Sequence, residues 1–418
     1  LTHSDPGGTP ILLAFSGGLD TSFCVPWLKE TYGRPVVTVT VDTGGIDAAA
    51  AQALEARALE LGASAHHLVA AKTAYFERVL RFLVMGNARR GNLYPFCVGA
   101  ERVLQAQTIA EMAGRLGATT VAHGCTAAGN DQVRFEVALR TLAPGLEILA
   151  PVRDHAFKRP EQLKFLEERK LPVPPYGAAY SVNRGLWGVT IGGKETLTSA
   201  DTIPDGAWVL TRDAFAAPRP PERHVVGFER GVPCSLDGAR LDPVALIERL
   251  EALAAPFGIG RGIHLGDTVI GTKGRVAFEA PAAEVLLAAH RELEKLVLTG
   301  RQARVKELVA APYGDLVHEG HHLDPVCRDI EALLVSSQQR VTGEVRVLFR
   351  PGSLFVEGVR SPWSLLAASK GVYGESAGEW TPADALGYSK MLALTGMFYT
   401  RAGQQAAKAG ADAGSQRP

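Results

Sequence analysis

The sequence predicts an α/β protein built around a parallel sheet, and three observations predict it. Short apolar runs at Ile11 to Phe15, Pro35 to Val41 and Ala118 to Ala122 are separated by stretches long enough for helices. A turn with two glycines, Gly17 and Gly18, joins the first run to the amphipathic stretch Thr21 to Glu30. The rhythm then changes near Lys170 to Gly177, where Leu171-Pro-Val-Pro-Pro-Tyr-Gly is too proline-rich to continue a helix. Strands alternating with helix-length segments form right-handed βαβ units, which require a parallel sheet.

Each element has its own warrant. Pro35 to Val41 is rich in Val and Thr, as strands are. Asp47 to Leu61 is rich in Ala, Leu and Glu and stops at Gly62, a natural helix end. Leu68 and Val69 suit another short strand, and helical patterns cover about Thr73 to Met85 and Gly99 to Leu116. Past the proline-rich break, Ala207 to Thr211 reads as a strand, and Pro243 to Ala254 and Pro281 to Leu298 read as helices. Val341 to Phe349 and Ser353 to Val359, joined by Arg350-Pro-Gly, predict a β-hairpin. Thr381 as N-cap and Pro382 at the first turn open a final helix, and the Ala/Gly/Gln-rich tail after Gly403 is expected to fray. The expected domains are 1–170, 171–379 and a C-terminal helix and tail over 380–418.

Composition narrows the function classes. A chain of 418 residues suits two or three domains, and 46% hydrophobic with 21% charged residues supplies ample core. Lys plus Arg and Asp plus Glu each number 44. That balance argues against a general nucleic-acid or membrane-surface binder, which needs a cationic excess. No run reaches the roughly eighteen apolar residues of a membrane span. Leu1 to Pro10 lacks the charged and apolar regions of a signal peptide. The five cysteines form no C-x-x-C pair, which suits reduced thiols in a cytoplasmic protein.

Ala14-Phe-Ser-Gly-Gly-Leu-Asp-Thr-Ser22 carries the chemistry. Its glycines let backbone approach a ligand closely, and Ser16, Thr21 and Ser22 offer hydroxyls. The following helix start offers free amide donors and the positive end of its dipole, so the loop suits linked phosphates. Asp20 is unsuited to phosphate itself and suits Mg²⁺ that bridges the phosphates. A plain strand-to-helix turn would need the glycines but not this Asp, Thr and Ser. No G-K-[ST] follows, so this is not a Walker loop. A second segment, Ala122-His-Gly-Cys-Thr-Ala-Ala-Gly-Asn-Asp-Gln-Val-Arg-Phe-Glu136, follows another strand. Thr126, Asn130 and Arg134 suit a carboxylate, and Asp131 suits an ammonium, so the set fits a small zwitterion.

The first loop resembles the PP-loop, S-G-G-x-D-[ST], of enzymes that cleave ATP between the α- and β-phosphates. With the second segment, the chain resembles the argininosuccinate synthase family over nearly its whole length. The resemblance continues in Ala150-Pro-Val-Arg-Asp154, Tyr180-Ser-Val-Asn-Arg-Gly-Leu-Trp-Gly188, Glu279-Ala-Pro-Ala-Ala, Val341-Thr-Gly-Glu-Val-Arg-Val and Ser361-Pro-Trp-Ser-Leu. It implies a Rossmann-like nucleotide domain of the PP-loop ATP pyrophosphatase type, an α+β synthetase domain, and a C-terminal oligomerisation helix in a homotetramer. The implied reaction is an AMP-forming C–N ligation of citrulline and aspartate, with ATP and Mg²⁺ and with neither nucleic acid nor membrane as partner. The resemblance assigns ATP to Ala14, Phe15, Ser16, Gly17, Gly18, Leu19, Asp20, Thr21, Ser22, Thr38 and Gly124. It assigns aspartate to Thr126, Asn130 and Asp131, and citrulline to Tyr94, Asn130, Arg134, Ser181 and Thr190. Arg102 matches an arginine near the phosphates, and Asp20 and Arg102 stand as the catalytic pair.

The departures from the family cluster on the citrulline side. Val98 and Gly99 stand where the family has Thr-Ser, Gly266 where it has a citrulline-binding Glu, and Phe278 where it has Tyr. Near ATP, Ala127-Ala128-Gly129 replaces Gly-Lys-Gly, and Asp42-Thr-Gly-Gly45 lacks the following Gln. One expectation from these changes is a paralogue that joins aspartate to a different ureido or carbonyl acceptor, such as a citrulline whose α-amine is blocked or absent. Gly99 and Gly266 would then leave room for an added group. The other is that neighbouring residues replace the lost contacts. An RNA-modifying PP-loop enzyme would need a basic surface and a sulfur-carrying cysteine motif, and a non-catalytic ATP-binding protein would not need the intact Ser16 to Ser22 set. His318-Glu-Gly-His-His322 satisfies a zinc pattern, but Gly320 suits a loop, and no metal site is expected there. His66 and His67 are expected to be structural, Cys97 to pack, and Cys125 to lack the base a nucleophile needs.

Overall fold

The computed structural model describes residues 8–173 and 180–414. The proline-rich break expected at 170–177 therefore lies partly outside the described residues, as do the first seven residues. The described chain forms two compact units that divide after Trp363.

The first unit begins with a five-stranded parallel sheet. Its strands are β1 (Ile11–Ala14), β2 (Val36–Asp42), β3 (Ala65–Ala70), β4 (Thr120–His123) and β5 (Glu147–Leu149), in the order β3-β2-β1-β4-β5. All four pairings are parallel. The order reverses between β1 and β4, the point where open α/β sheets bind ligands beyond their strand C-termini. Helix Leu19–Tyr32 packs against one face through Phe23, Cys24, Val25 and Leu28, and helix Arg102–Leu116 covers the other through Val103, Ala106 and Ile109. Helix Ala48–Glu60 starts where expected, with Asp47 accepting from Ala50 N–H.

Two antiparallel sheets follow. The first combines β6 (Ser181–Gly185), β7 (Gly188–Gly192), β11 (Arg261–Asp267) and β12 (Lys273–Glu279) in the order β11-β12-β7-β6. The second holds β8 (Glu222–Glu229), β9 (Val232–Leu236), β10 (Ala239–Arg240), β13 (Gly343–Arg350) and β14 (Ser353–Arg360). The β13–β14 hairpin is the expected one. Helix Pro281–Val297 supplies much of the largest core, including Val285, Leu286, Ala289 and Leu293.

Ala207 to Thr211 is not a strand. A 3₁₀ turn covers Asp205–Ala207, and the amides of Val209, Leu210 and Thr211 all donate to the buried Glu279 carboxylate. One carboxylate accepting several N–H groups takes the donors that a sheet neighbour would have used. His318 lies not in a loop but in the last turn of helix Gly300–Glu319, which Gly320 ends at φ +91°. Among the described residues no His, Cys, Asp or Glu cluster could hold a metal ion, and no helix is long and apolar enough to cross a membrane.

The second unit contains helix Pro382–Gly414. Thr381 caps it, its Oγ1 accepting from Asp384 N–H at 3.2 Å. The helix runs through Gly403 to Gly414, past the expected fraying point, because the Ala and Gln residues after Gly403 favour helix more than Gly403, Gly410 and Gly414 oppose it.

Candidate active site

One cavity of about 930 Å³ in the first unit is lined by residues from the β1 loop, the β4 loop, helix Asp131–Leu142 and the β6-β7-β12-β11 sheet. It is built from the phosphate-type loop outward. After β1, Gly17 adopts φ +74°, and a Cβ there would overlap Leu54 Cδ2. Its carbonyl accepts from Arg57 Nη1 at 2.7 Å, a cation beside the loop that no local pattern singles out. Gly18 then starts helix Leu19–Tyr32, whose first turn carries Asp20 and Thr21 into the cavity wall. Ser16 Oγ and Thr21 Oγ1 lie 3.2 Å apart, and Gln162 Nε2 donates to Asp20 Oδ1 at 2.9 Å. A Cβ on Gly124 would sit 2.9 Å from Thr21 Cγ2 and 3.1 Å from Thr21 N, so only glycine lets the β4 loop close on this helix start.

The second loop meets two arginines. Asp131 opens helix Asp131–Leu142; its Oδ1 accepts from Arg134 Nη1 at 2.7 Å and its Oδ2 from Arg102 Nε at 3.0 Å. Burial opposes the ionisation of Asp131, but Arg102 and then Arg134 prevail and lower its pKa to about 2. Arg102 also donates to Glu101 Oε1 at 2.8 Å. Glu101 lines the cavity and is almost wholly buried; burial raises its pKa to about 7 against the pull of Arg102. Asn130 Oδ1 accepts from Val269 N–H at 3.0 Å, which ties the β11–β12 turn to this loop. Burial, with Asp131 nearby, pushes the Cys125 thiol up to about 12, so it is no nucleophile at neutral pH.

The sheet wall follows from strand parity. Asn183 pairs with Thr190, Thr190 with Phe278 and Phe278 with Gly262, so all four lie on one face. Ser181 and His264, two residues along β6 and β11, share that face. His264 stacks on Tyr94, their ring centroids 5.4 Å apart and 19° from parallel, and Phe278 packs edge-on to Tyr94 at 5.2 Å. The Tyr94 hydroxyl donates to the Cys97 carbonyl. Arg134, buried, donates through Nε to the His318 carbonyl at 2.6 Å, and its Nη2 lies 3.2 Å from His318 Nε2. Burial, followed by Arg134, holds the His318 pKa well below the usual imidazole range; burial, followed by Arg90, lowers that of His264.

Gly99 and Gly266 do not leave the open room expected of them. A Cβ at 266 would lie 2.7 Å from His264 Nε2, and one at 99 would lie 3.2 Å from both Arg134 Nη2 and His318 Nδ1. Phe278 fills the space over Gly262, where a Cβ would overlap its ring. His264, two residues along the same strand, occupies what Gly266 vacates, while Arg134 and His318 from two helices crowd Gly99.

Of the residues singled out in the sequence, Ala14, Phe15, Ser16, Gly18, Leu19, Asp20, Thr21 and Gly124 line the cavity. So do Arg102, Thr126, Asn130, Asp131, Tyr94, Arg134, Ser181 and Thr190. Gly17, Ser22 and Thr38 do not. Ser22 is buried behind the loop, and Thr38 Oγ1 lies 2.9 Å from His66 Nδ1 and donates to the Ala65 carbonyl at 3.2 Å. Glu101, His264 and His318 line it without having been proposed as ligand contacts.

Comparison with known proteins agrees with this geometry. Residues 10–172 match the Arginosuccinate synthase N-terminal HUP domain, and residues 180–399 match the Arginosuccinate synthase C-terminal domain. The chain belongs to the argininosuccinate synthase family. It is 42% identical over 398 residues to the argininosuccinate synthase of Xanthomonas campestris pv. campestris, covering 94% of this chain and 98% of that one. It is 38% identical over 391 residues to that of Pyrobaculum aerophilum, covering 93% and 97%. Against that of Methanocaldococcus jannaschii the figures are 36% identity over 388 residues, 93% and 97%. Argininosuccinate synthases are C–N ligases that use ATP, which fits a phosphate-type loop and a zwitterion-type loop opening on the same space.

Proposed function

We propose that this chain catalyses the AMP-forming ligation of its family, joining aspartate to a ureido acceptor of the citrulline type. The carrying observation is that the Ser16 to Thr21 loop, the Thr126 to Arg134 segment and the β6–β7 hairpin face one cavity at the switch point of a parallel sheet. ATP lies with its phosphates against the first turn of helix Leu19–Tyr32, where free amides and the helix dipole meet negative charge. Arg102 serves the phosphates. Asp20, the acidic residue of that turn, suits Mg²⁺ brought in with ATP, which neutralises phosphate charge. Thr126, Asn130 and Asp131 hold aspartate; Tyr94, Arg134, Ser181 and Thr190 hold the acceptor.

The acceptor's ureido oxygen forms a bond to the α-phosphorus as the bond to pyrophosphate breaks. The aspartate nitrogen, as a free amine, then bonds to the ureido carbon, and the C–O bond to AMP breaks as a guanidinium forms. The protein's part is to align the three substrates and stabilise phosphate charge, since neither step needs an enzyme nucleophile. Purified protein given Mg-ATP, aspartate and a ureido acceptor should release AMP and pyrophosphate in equal amounts, dependent on all three and abolished by EDTA. Release of ADP and phosphate, or ATP binding with no AMP from any ureido acceptor, would overturn this reading.

A cytoplasmic homotetramer is part of the same proposal. Free cysteines support the compartment. The exposed Leu386, Met391, Leu392 and Phe398 on helix Pro382–Gly414 support assembly, because such side chains gain from burial against another copy. Light scattering giving a monomer mass at micromolar concentration would refute the assembly.

A further inference from the structure

The carboxylates bordering the cavity decide which acceptors fit. Among the described residues there are four: Asp20, Glu101, Asp131 and Asp267. Asp20 stands at the phosphate loop. Asp131 already binds Arg102 and Arg134, and the zwitterion loop places it at the aspartate end. Glu101 Oε1 is taken by Arg102; its Oε2 is buried against the backbone at Gly185, where even a Cβ would overlap it. Asp267 is paired with Lys273 Nζ at 2.5 Å on the exposed turn.

What faces the acceptor end is Tyr94, His264, His318 and the Arg134 guanidinium, with the uncharged Ser181, Asn183 and Thr190 of the sheet wall. Both imidazoles are neutral near pH 7, and His264 Nε2 has no hydrogen-bond partner among the described residues. Arg275 adds a cation whose donors meet only the carbonyls of Glu195, Thr198 and Asp201. An ammonium placed here finds hydroxyls and ring atoms but no free carboxylate, with the Arg275 cation nearby, and burying an unpaired charge is costly. A carboxylate, an amide or a methylene meets donors or apolar rings.

We infer that the acceptor is a ureido acid with a carboxylate but no α-ammonium, its α-nitrogen acylated or absent, and that His264 sets this preference by occupying the place of a side chain at 266. The inference rests on the ligase reading above and narrows its substrate.

The test compares kcat/KM for citrulline, Nα-acetylcitrulline and 5-ureidopentanoate, read as aspartate-dependent AMP release. The expected result is that at least one of the last two is used tenfold or more better than citrulline. The double variant His264→Ala/Gly266→Glu, which exchanges the imidazole for a carboxylate, should move the ratio at least tenfold toward citrulline. His264→Asn, a milder change, should weaken the discrimination if the double variant does not fold. Citrulline used as well as or better than both analogues by the unmodified protein would overturn the inference and leave the ligase reading standing. No AMP with any of the three would overturn both.

Discussion

Arg134 Nη1 donates to Asp131 Oδ1 at 2.7 Å while Arg102 Nε donates to Oδ2 at 3.0 Å, so one carboxylate orients two guanidiniums from different helices. Arg102 comes from the helix that covers the parallel sheet, and Arg134 reaches across to His318. Asp131 therefore sets the spacing between Arg102 and the Arg134–His318 wall of the cavity. Its low pKa keeps it ionised throughout the physiological range.

Asp131→Asn should keep the shape but lose the charge. The Asp131 side chain is about a third exposed, so losing its charge-assisted hydrogen bonds costs about 1.5–3 kcal/mol rather than the full penalty of a buried pair. At about 1.4 kcal/mol per tenfold, kcat/KM for aspartate and for the acceptor should each fall by roughly tenfold to a hundredfold. The KM for ATP should change much less. Steady-state kinetics varying each substrate in turn separates these; a loss confined to ATP would show that Asp131 acts elsewhere.

Gly44→Ala probes how the loop after β2 meets the β6–β7 turn. Gly44 adopts φ +118°, and a Cβ there would overlap the backbone nitrogen of Leu186, whose N–H donates to the Thr43 carbonyl at 3.0 Å. Backbone cannot step aside as a flexible side chain can, and a non-glycine residue at this φ is strained by about 1–3 kcal/mol. Thermal denaturation should show a Tm lower by several degrees. The KM values should rise as well, because Thr43 and Arg184 on either side of this contact both line the cavity. An unchanged Tm would mean the turn relaxes freely.

The parts of this molecule legible in its sequence are those set by local pattern. Val36 to Val41 reads as a strand because β-branched residues recur, and the glycines and hydroxyls of Ser16 to Ser22 announce the loop without help from distant residues. His264 shows why the rest was hidden. It sits between Gly262 and Gly266, so no apolar alternation marks its face, and its partner Tyr94 comes from a distant part of the chain. The same applies to Ala207–Thr211, whose strand-like composition is overruled by Glu279, and to His318, whose role is created by Arg134. Glu101 is silent in the sequence because a Glu beside an Arg at a helix start has the pattern of surface charge.

Glu101 gives a pH signature. Its folded pKa, about 7, is raised above its ordinary value. The sign follows: the folded state holds this proton more tightly than the unfolded one, so the stability it brings is full below about pH 4.5 and is lost as pH rises through 7. Glu101→Gln, which cannot ionise, should escape that loss. The stability of the variant relative to the unmodified protein should thus improve between pH 5 and pH 8 by up to about 3 kcal/mol, at about 1.4 kcal/mol per pKa unit. Parallel Tm-against-pH curves for the two proteins would remove Glu101 as a titrating group in this range.

Lys306 tests the packing that supports the sheet wall. It is almost fully buried, with Nζ donating to Glu294 Oε2 and to the Met85 carbonyl, each at 2.7 Å. Glu294 also accepts from Asn87 Nδ2 and Gln338 Nε2, both at 2.6 Å, so helix Pro281–Val297 is pinned to three other segments through one carboxylate. Lys306→Met leaves that carboxylate buried without its cation, at a cost of about 3–5 kcal/mol. Replacing both partners, Lys306→Met with Glu294→Met, removes the stranded charge, and such swaps range from neutral to stabilising when the volume is kept. Here recovery should be incomplete, because Asn87 and Gln338 each lose an acceptor, at about 1–3 kcal/mol per unsatisfied buried group. Tm should therefore fall most for the single variant and less for the double, with kcat at 25 °C little changed in either, since neither residue lines the cavity. Equal losses in the single and double variants would show that the hydrogen bonds to Asn87 and Gln338, rather than the buried charge pair, hold this junction.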